Sequence, residues 1–237
     1  AVEMQDKLSL GSNTLVMELA SNDGYLLSEF QKLGMPVLGV EPTENTANLA
    51  RKSGVPTVSK FFGEELAKKL LIEYGHPRLI AANNVYAHIP DMQDFTKGMV
   101  VLADDSTIIT IENPSFDILL NRALFDTIYH EHLFYLSLHT VSQIFQRANS
   151  RIWYVEQLPT HGGSLRIYGC HQEDPRETSE IVTKLLALEA EQGLKKLETY
   201  LTFQKNANKV KNELVQFLIK QKNPLPHTGQ QLKVMLC

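Results

Sequence analysis

Through its first half the sequence alternates short apolar runs with longer segments whose apolar residues recur at helical spacing. That alternation permits few architectures: parallel strands joined by crossover helices, with the strands buried on both faces. The spacing predicts strands over 14–19, 36–40, 56–58, 78–82 and 106–111. Helices are expected over 24–33, 45–53, 64–74 and 91–103. The run TIITI, residues 107–111, is β-branched throughout, as a strand covered on both sides should be.

The period then changes. Helical stretches near 116–127 and 141–147 precede two strand-like runs, 152–158 and 164–170, separated only by PTHGG. This predicts an antiparallel pair closing an otherwise parallel sheet. Residues 176–222 are rich in Glu, Lys, Leu and Ala, with no proline and a single glycine, Gly193. One long helix is expected there, or two broken near Gly193.

Charge and cysteine usage exclude several classes. With 23 basic against 27 acidic residues the net charge is −4, which offers no basic field for a phosphate backbone. No apolar stretch approaches the roughly 20 residues of a membrane span. The segment AVEMQDKLSL lacks the basic and apolar parts of a signal peptide. Cys170 and Cys237 are far apart and form no paired-cysteine spacing. A reduced, cytoplasmic protein acting on small molecules is expected.

The stretch VMELASNDGYLL, residues 16–27, is a strand that turns sharply into a helix. Such a turn brings backbone close to a ligand. Ala20, Asn22 and Gly24 stand where a dinucleotide fingerprint carries its glycines, so a pyrophosphate cradle is a poor match. Glu18 at the strand end disfavours a diphosphate and favours a ligand with an amino group or positive charge. Glu41 ends the second strand, where dinucleotide folds place an acid on ribose hydroxyls. Asn83 ends the fourth strand beside the same crevice. An acid near an amino-acid moiety and an acid on a ribose describe S-adenosylmethionine better than NAD. The plainer alternative is a tight turn with Glu18 solvated.

A second cluster follows the fifth strand. Tyr129, His130, Glu131 and His132 are consecutive, and His88 follows the fourth strand toward the same face. A histidine steadied by a carboxylate is a common general base, and a tyrosine hydroxyl can hold a developing oxyanion. A metal site is the competing reading. Adjacent side chains diverge and a third ligand would have to come from afar, so no metal is expected. In THGGS, residues 160–164, the two glycines suit either a flexible turn or a backbone approaching substrate. In the second case His161 and Arg166 would meet polar or phosphate groups.

Taken in order, ELASNDGYLL, VLGVEPTENTA, GVPTVSKFFG, ANNVYAHIPD, FDTIYHEH and LPTHGGSLRIYG resemble the nucleotide-sugar C-methyltransferases, which make C3-branched deoxysugars. The resemblance covers roughly residues 14–169. It implies a Rossmann-like class I methyltransferase fold, α/β, using S-adenosylmethionine on a nucleotide-linked 4-keto deoxysugar. It further implies His132 as the general base, with Tyr129, Glu131 and His88 lining the same pocket. Glu18, Ala20, Asn22, Gly24, Glu41 and Asn83 would form the cofactor site. Methylation of an oxygen or nitrogen, or a cofactor-binding module without catalysis, are the alternatives.

Members of that family carry a zinc-binding domain before this region and a further domain after it. The chain therefore reads as a central portion, or as a reduced relative: a methyltransferase domain over 1–172, then a helical extension and the start of a further domain over 173–237. The apolar run at 232–237 is a candidate surface for self-association.

Overall fold

A computed structural model describes residues 1–220. The alternating half folds as its pattern requires. In chain order it runs β1 (Val16–Leu19), α2 (Tyr25–Lys32), β2 (Val37–Val40), α3 (Glu44–Lys52) and β3 (Thr57–Val58). It continues through α4 (Glu64–Tyr74), β4 (Leu79–Asn83), α5 (Met92–Leu102) and β5 (Ile108–Pro114). These five strands are mutually parallel, in the order β3-β2-β1-β4-β5. The expected antiparallel pair completes the sheet. β7 (Ser164–His171) runs against β5, and β6 (Ser150–Leu158) pairs outside it.

Side-chain alternation along the strands divides the core in two. On one face Met17, Leu19, Ile80, Ile109 and Ile111 belong to a cluster with Leu70 of α4, Met99 of α5 and Phe145 of α7 (Leu138–Arg147). On the other, Val16, Leu79, Ile108 and Tyr168 cluster with Leu27 and Phe30 of α2. α1 (Val2–Leu8), absent from the sequence reading, covers part of this second face. Seven residues are too few to display a helical period. What holds α1 is tertiary: Leu8 is buried, and the Lys7 ammonium lies 4.2 Å from the Tyr154 ring centroid and 4.7 Å from that of Tyr168.

Three departures have local causes. The helical stretch expected over 116–127 stops early, as α6 (Phe116–Arg122), because Ala123 takes a left-handed conformation, φ 52°. A single 3₁₀ turn, Phe125–Thr127, follows. α7 begins at Leu138, ahead of the predicted start, with the Ser137 hydroxyl accepting the Thr140 amide as a cap. The long helical region breaks at Gly193, φ 77°, and again after Leu201, giving α8 (Glu180–Glu191), α9 (Leu197–Leu201) and α10 (Phe203–Lys220). The apolar run at 232–237 lies outside the described residues. No helix among the described residues is long and apolar enough to cross a membrane.

α8 lies beyond the boundary expected at 172, yet it is fastened to the sheet layer. The buried Glu189 carboxylate accepts the first two amides of α7, from Leu138 at 2.7 Å and His139 at 2.8 Å. Those amides have no partner within their own helix, and the helix dipole favours an anion there. Burial raises the pKa of Glu189, and the two amide bonds oppose that rise. Replacing Glu189 by Ala should cost about 1–2 kcal/mol, within the range for lost caps. At roughly 2–4 °C per kcal/mol for a chain of this size, thermal unfolding followed by circular dichroism will register the loss. An unchanged midpoint would mean that α8 is not part of the same cooperative unit.

Candidate active site

The strand order reverses between β1 and β4, and ligands of open α/β sheets bind outside the carboxyl ends at such a point. The β1–α2 loop builds the first half of the crevice. Ala20, Asn22 and Gly24 all adopt left-handed backbone, at φ 54°, 53° and 81°. The conformations that a glycine fingerprint supplies are therefore kept, while two of the glycines are not. Asn tolerates this region; for Ala it is strained by about 1–2 kcal/mol. The strain is held by hydrogen bonds. Ser21 N–H donates to the Val40 carbonyl at 3.1 Å, and Asn22 N–H donates to Glu41 Oε2 at 3.1 Å.

Glu41 also accepts the Thr43 amide, on Oε1 at 2.9 Å. Its carboxylate thus clips the loop after β1 to the loop after β2, and each oxygen keeps acceptor capacity for a ligand hydroxyl. Glu18 is 3% exposed, and its Oε2 has no hydrogen-bond partner; nor does Ser21 Oγ. Ser21 fits there because Gly39 has no side chain: a Cβ at that position would sit 2.4 Å from Ser21 Oγ. Burial, with the charge of Asp23 adding, raises the Glu18 pKa to about 8. Buried without a cationic partner, the Glu18 carboxyl therefore holds its proton more tightly than a free one. Asn83 shares its sheet face, being two residues beyond Ala81, which pairs with Glu18. Beside the loop opens an apolar cleft of about 410 Å³, lined by Ala20, Val40, Pro42, Phe61, Phe62, His88 and Ile89.

The second half lies over β4 and β5. A cavity of about 160 Å³ is bounded by Asn84, His88, Asn113, Tyr129, His132 and His161. The loop carrying residues 129–132 is pinned to the loop after β4, because the Ala87 carbonyl accepts both Leu133 N–H at 3.0 Å and Phe134 N–H at 3.2 Å. The His88 and His132 ring centroids are then 4.9 Å apart. His132 Nδ1 is 2.9 Å from the Thr127 carbonyl, and His88 Nδ1 is 2.7 Å from the Glu131 carbonyl. A carbonyl only accepts, so both Nδ1 atoms carry hydrogen and both neutral rings present Nε2 as the lone pair. The Tyr129 hydroxyl lies 3.2 Å from His132 Nε2 and donates to it.

Two expected members stand apart. The Glu131 carboxylate is exposed and makes none of these contacts; its backbone, not its side chain, steadies a histidine. Arg166 does not reach out to a phosphate. The register of β5, β7 and β6 sets it opposite Glu112 and Glu156, and its guanidinium bonds both, at 3.0 and 3.3 Å. It borders, with Asn83 and Thr110, a separate pocket of about 90 Å³ on the α1 side of the sheet. His161 does join the cavity, at φ 53° within the short turn Thr160–Gly162. Sequence reasoning missed Ser21 and Asn113. Ser21 lies within the ELASNDGYLL run, between Ala20 and Asn22, and Asn113 lies in none of the motifs; only a strand-end position could have marked it.

Comparison with known proteins agrees with this arrangement. A family profile described as a methyltransferase domain matches residues 6–155. A second, described as the C-methyltransferase C-terminal domain, matches residues 159–226. The magnesium protoporphyrin IX methyltransferase of Synechocystis, solved with bound SAH, aligns at a TM-score of 0.54 and 14% identity, over 72% of this chain and 79% of that one. A putative methyltransferase of Bacillus halodurans aligns at 0.54 and 12% identity, over 72% and 97%. The chain belongs to the methyltransferase family, with the class I fold. Over 209 residues the chain is 31% identical to C-methyltransferase NovU of Streptomyces niveus. That match takes in 88% of this chain and 50% of NovU, so the chain spans about half the length of its curated relative.

Glu18 makes a prediction about stability. Its folded pKa, about 8, lies above the ordinary 4.5, so the native state holds the proton more tightly than the unfolded chain. Its contribution is therefore most favourable below pH 4.5 and is lost as pH rises toward 8. Glu18→Gln, which stays neutral, should gain stability relative to the parent progressively between pH 5 and 8. Urea midpoints across that range measure the gap; a gap independent of pH would remove the buried proton from the account.

Proposed function

We propose that this protein is an S-adenosylmethionine-dependent C-methyltransferase that methylates a carbon beside the ketone of a nucleotide-linked 4-keto deoxysugar, after a base removes that carbon's proton. The observation that carries the reading is the orientation of His132: Nδ1 donates to the Thr127 carbonyl and leaves Nε2 to the Tyr129 hydroxyl, both side chains bordering one cavity with His88 and His161.

The first half of the crevice fits the methyl donor. Glu18 Oε2 and Ser21 Oγ are buried without partners; the positive charge of the donor's ammonium group would bring the Glu18 pKa back down, so that its carboxylate accepts from that group. Glu41 has acceptor capacity left for ribose hydroxyls, and the apolar cleft at Phe61 and Phe62 suits a purine ring. Ala20, Asn22 and Gly24 bring backbone close to it, and Asn83 supplies a further polar group at the end of β4. When bound, S-adenosylmethionine supplies an electrophilic methyl group on a sulfonium centre.

The second half moves the proton. With the acceptor bound, the Tyr129 hydroxyl turns from Nε2 to donate to the ketone oxygen; the freed Nε2 lone pair takes the hydrogen from the carbon next to the ketone, and the bonding pair shifts toward the carbonyl oxygen to give an enolate. Nε2 then bears a hydrogen and no lone pair. The Tyr129 hydroxyl oxygen can now accept from Nε2–H while its own hydrogen stays on the oxyanion. His88, its Nδ1 tied to the Glu131 carbonyl, offers Nε2 as a second polar contact in the same cavity. The backbone holds both rings in one orientation, which serves the alignment that carbon–carbon bond formation demands.

Calorimetric titration with S-adenosylhomocysteine comes first: the parent should bind, and Glu41→Ala should bind less tightly. A nucleoside-diphosphate 4-keto deoxysugar in D₂O should then exchange the hydrogen beside its ketone. His132→Ala should slow that exchange by about 10²–10⁴-fold, the usual range for a lost general base. Methyl transfer to an acceptor with no such exchange would place the new bond on oxygen or nitrogen.

A further inference from the structure

We infer that Asn113 is a specificity-determining residue whose side-chain carbonyl accepts a hydrogen bond from a hydroxyl of the methyl acceptor. The inference rests on the nucleotide-sugar reading above and adds to it the means by which the acceptor's hydroxyl pattern is recognised.

Asn113 is the penultimate residue of β5, 1% exposed, and paired across the sheet with Leu165 of β7. It sits on a strand fixed on both sides, not on a loop. Its amide orientation is determined by one contact. Nδ2 donates to the Pro114 carbonyl at 2.9 Å, and because that carbonyl can only accept, the other amide atom must be Oδ1. Oδ1 is buried and has no partner. Buried polar groups are nearly always paired, so an orphaned acceptor wants a ligand to complete it.

The surroundings say what kind of ligand. Asn113 borders the cavity of about 160 Å³ that also holds His88, Tyr129, His132 and His161. Those side chains carry ring nitrogens and a hydroxyl; of the two side-chain amides on the same border, Asn84 and Asn113, it is Asn113 whose carbonyl oxygen is buried without a partner. The group it completes must be a donor. A hydroxyl one or two bonds from the reacting carbon meets this requirement, whereas an ether, a ketone or a hydrogen does not. Asn113 also lines a neighbouring space of about 20 Å³ behind His132, large enough for one water. A water held there permanently is the competing occupant of Oδ1.

A site built to bond a hydroxyl rejects the analogue lacking it far more strongly than an apolar site rejects a missing methylene. The test compares the parent with Asn113→Leu, close in volume, and uses a nucleoside-diphosphate 4-keto hexose with a set of analogues each lacking one ring hydroxyl. For one analogue the parent should lose about 100-fold in kcat/KM, while Asn113→Leu should accept both compounds within about 3-fold. S-adenosylhomocysteine affinity should be unchanged, which also reports that the variant is folded; Asn113→Ala takes its place if it is not. A crystal structure with the acceptor should put a hydroxyl oxygen within hydrogen-bond reach of Oδ1.

Equal losses for all acceptors, no loss, or a water retained on Oδ1 in the complex would overturn the inference and leave the C-methyltransferase reading standing. If S-adenosylhomocysteine binds but no nucleotide sugar binds or exchanges, the acceptor reading fails and this inference falls with it.

Discussion

The Ala87 carbonyl, accepting two amides at once, is the contact on which the rest of this site depends. β4 is a central strand with neighbours on both sides, and Tyr86 and Ala87 just beyond it are buried. Whatever is fastened to Ala87 inherits the rigidity of the sheet. The loop from Thr127 to Phe134 has no regular structure of its own past a single turn, yet that contact gives it a fixed place. His88 and His132, far apart in the chain, become neighbours with known tautomers. Positioning of this kind is worth more in catalysis than the chemical identity of any one side chain.

The cofactor half is organised on a different principle. Local rules are broken there: Ala20 occupies left-handed backbone, and a carboxyl group and a hydroxyl are buried without partners. Each is costly by itself, and each is held in place by neighbours that obey the rules, such as Val40 and Glu41. Strain and unpaired groups are thus concentrated at the carboxyl ends of the central strands, above a well-packed core on both faces, as functional sites are.

The sequence is legible to different depths for the same reason. Periodicity reports burial, and burial of an alternating sheet is local information; hence the parallel strands, the antiparallel pair and the break at Gly193 could be read directly. The motifs could be read too, since Glu18, Ala20, Asn22, Gly24 and Glu41 sit at fixed offsets from strand ends. What could not be read is pairing between distant segments. Arg166 looks free in the chain and is tied to Glu112 and Glu156 only through strand register. Glu131 looks like the histidine's carboxylate, but the chain there turns so that the backbone does that work. Asn113 carries no local signal, because its significance is a missing partner.

The antiparallel end of the sheet bears on how the chain is made. While the protein is being synthesised, β5 can pair with β4 as soon as both have emerged, but its other edge stays open until β7 follows, across α6, the histidine loop, α7 and β6. For that interval a β-branched strand exposes unpaired amides and carbonyls, the kind of edge that recruits strands from other chains. The charged ladder at its far end, Glu112 meeting Arg166 in register, lets only one alignment of β7 pair opposite charges there. The arginine that seemed destined for a substrate is instead committed to the register of the sheet.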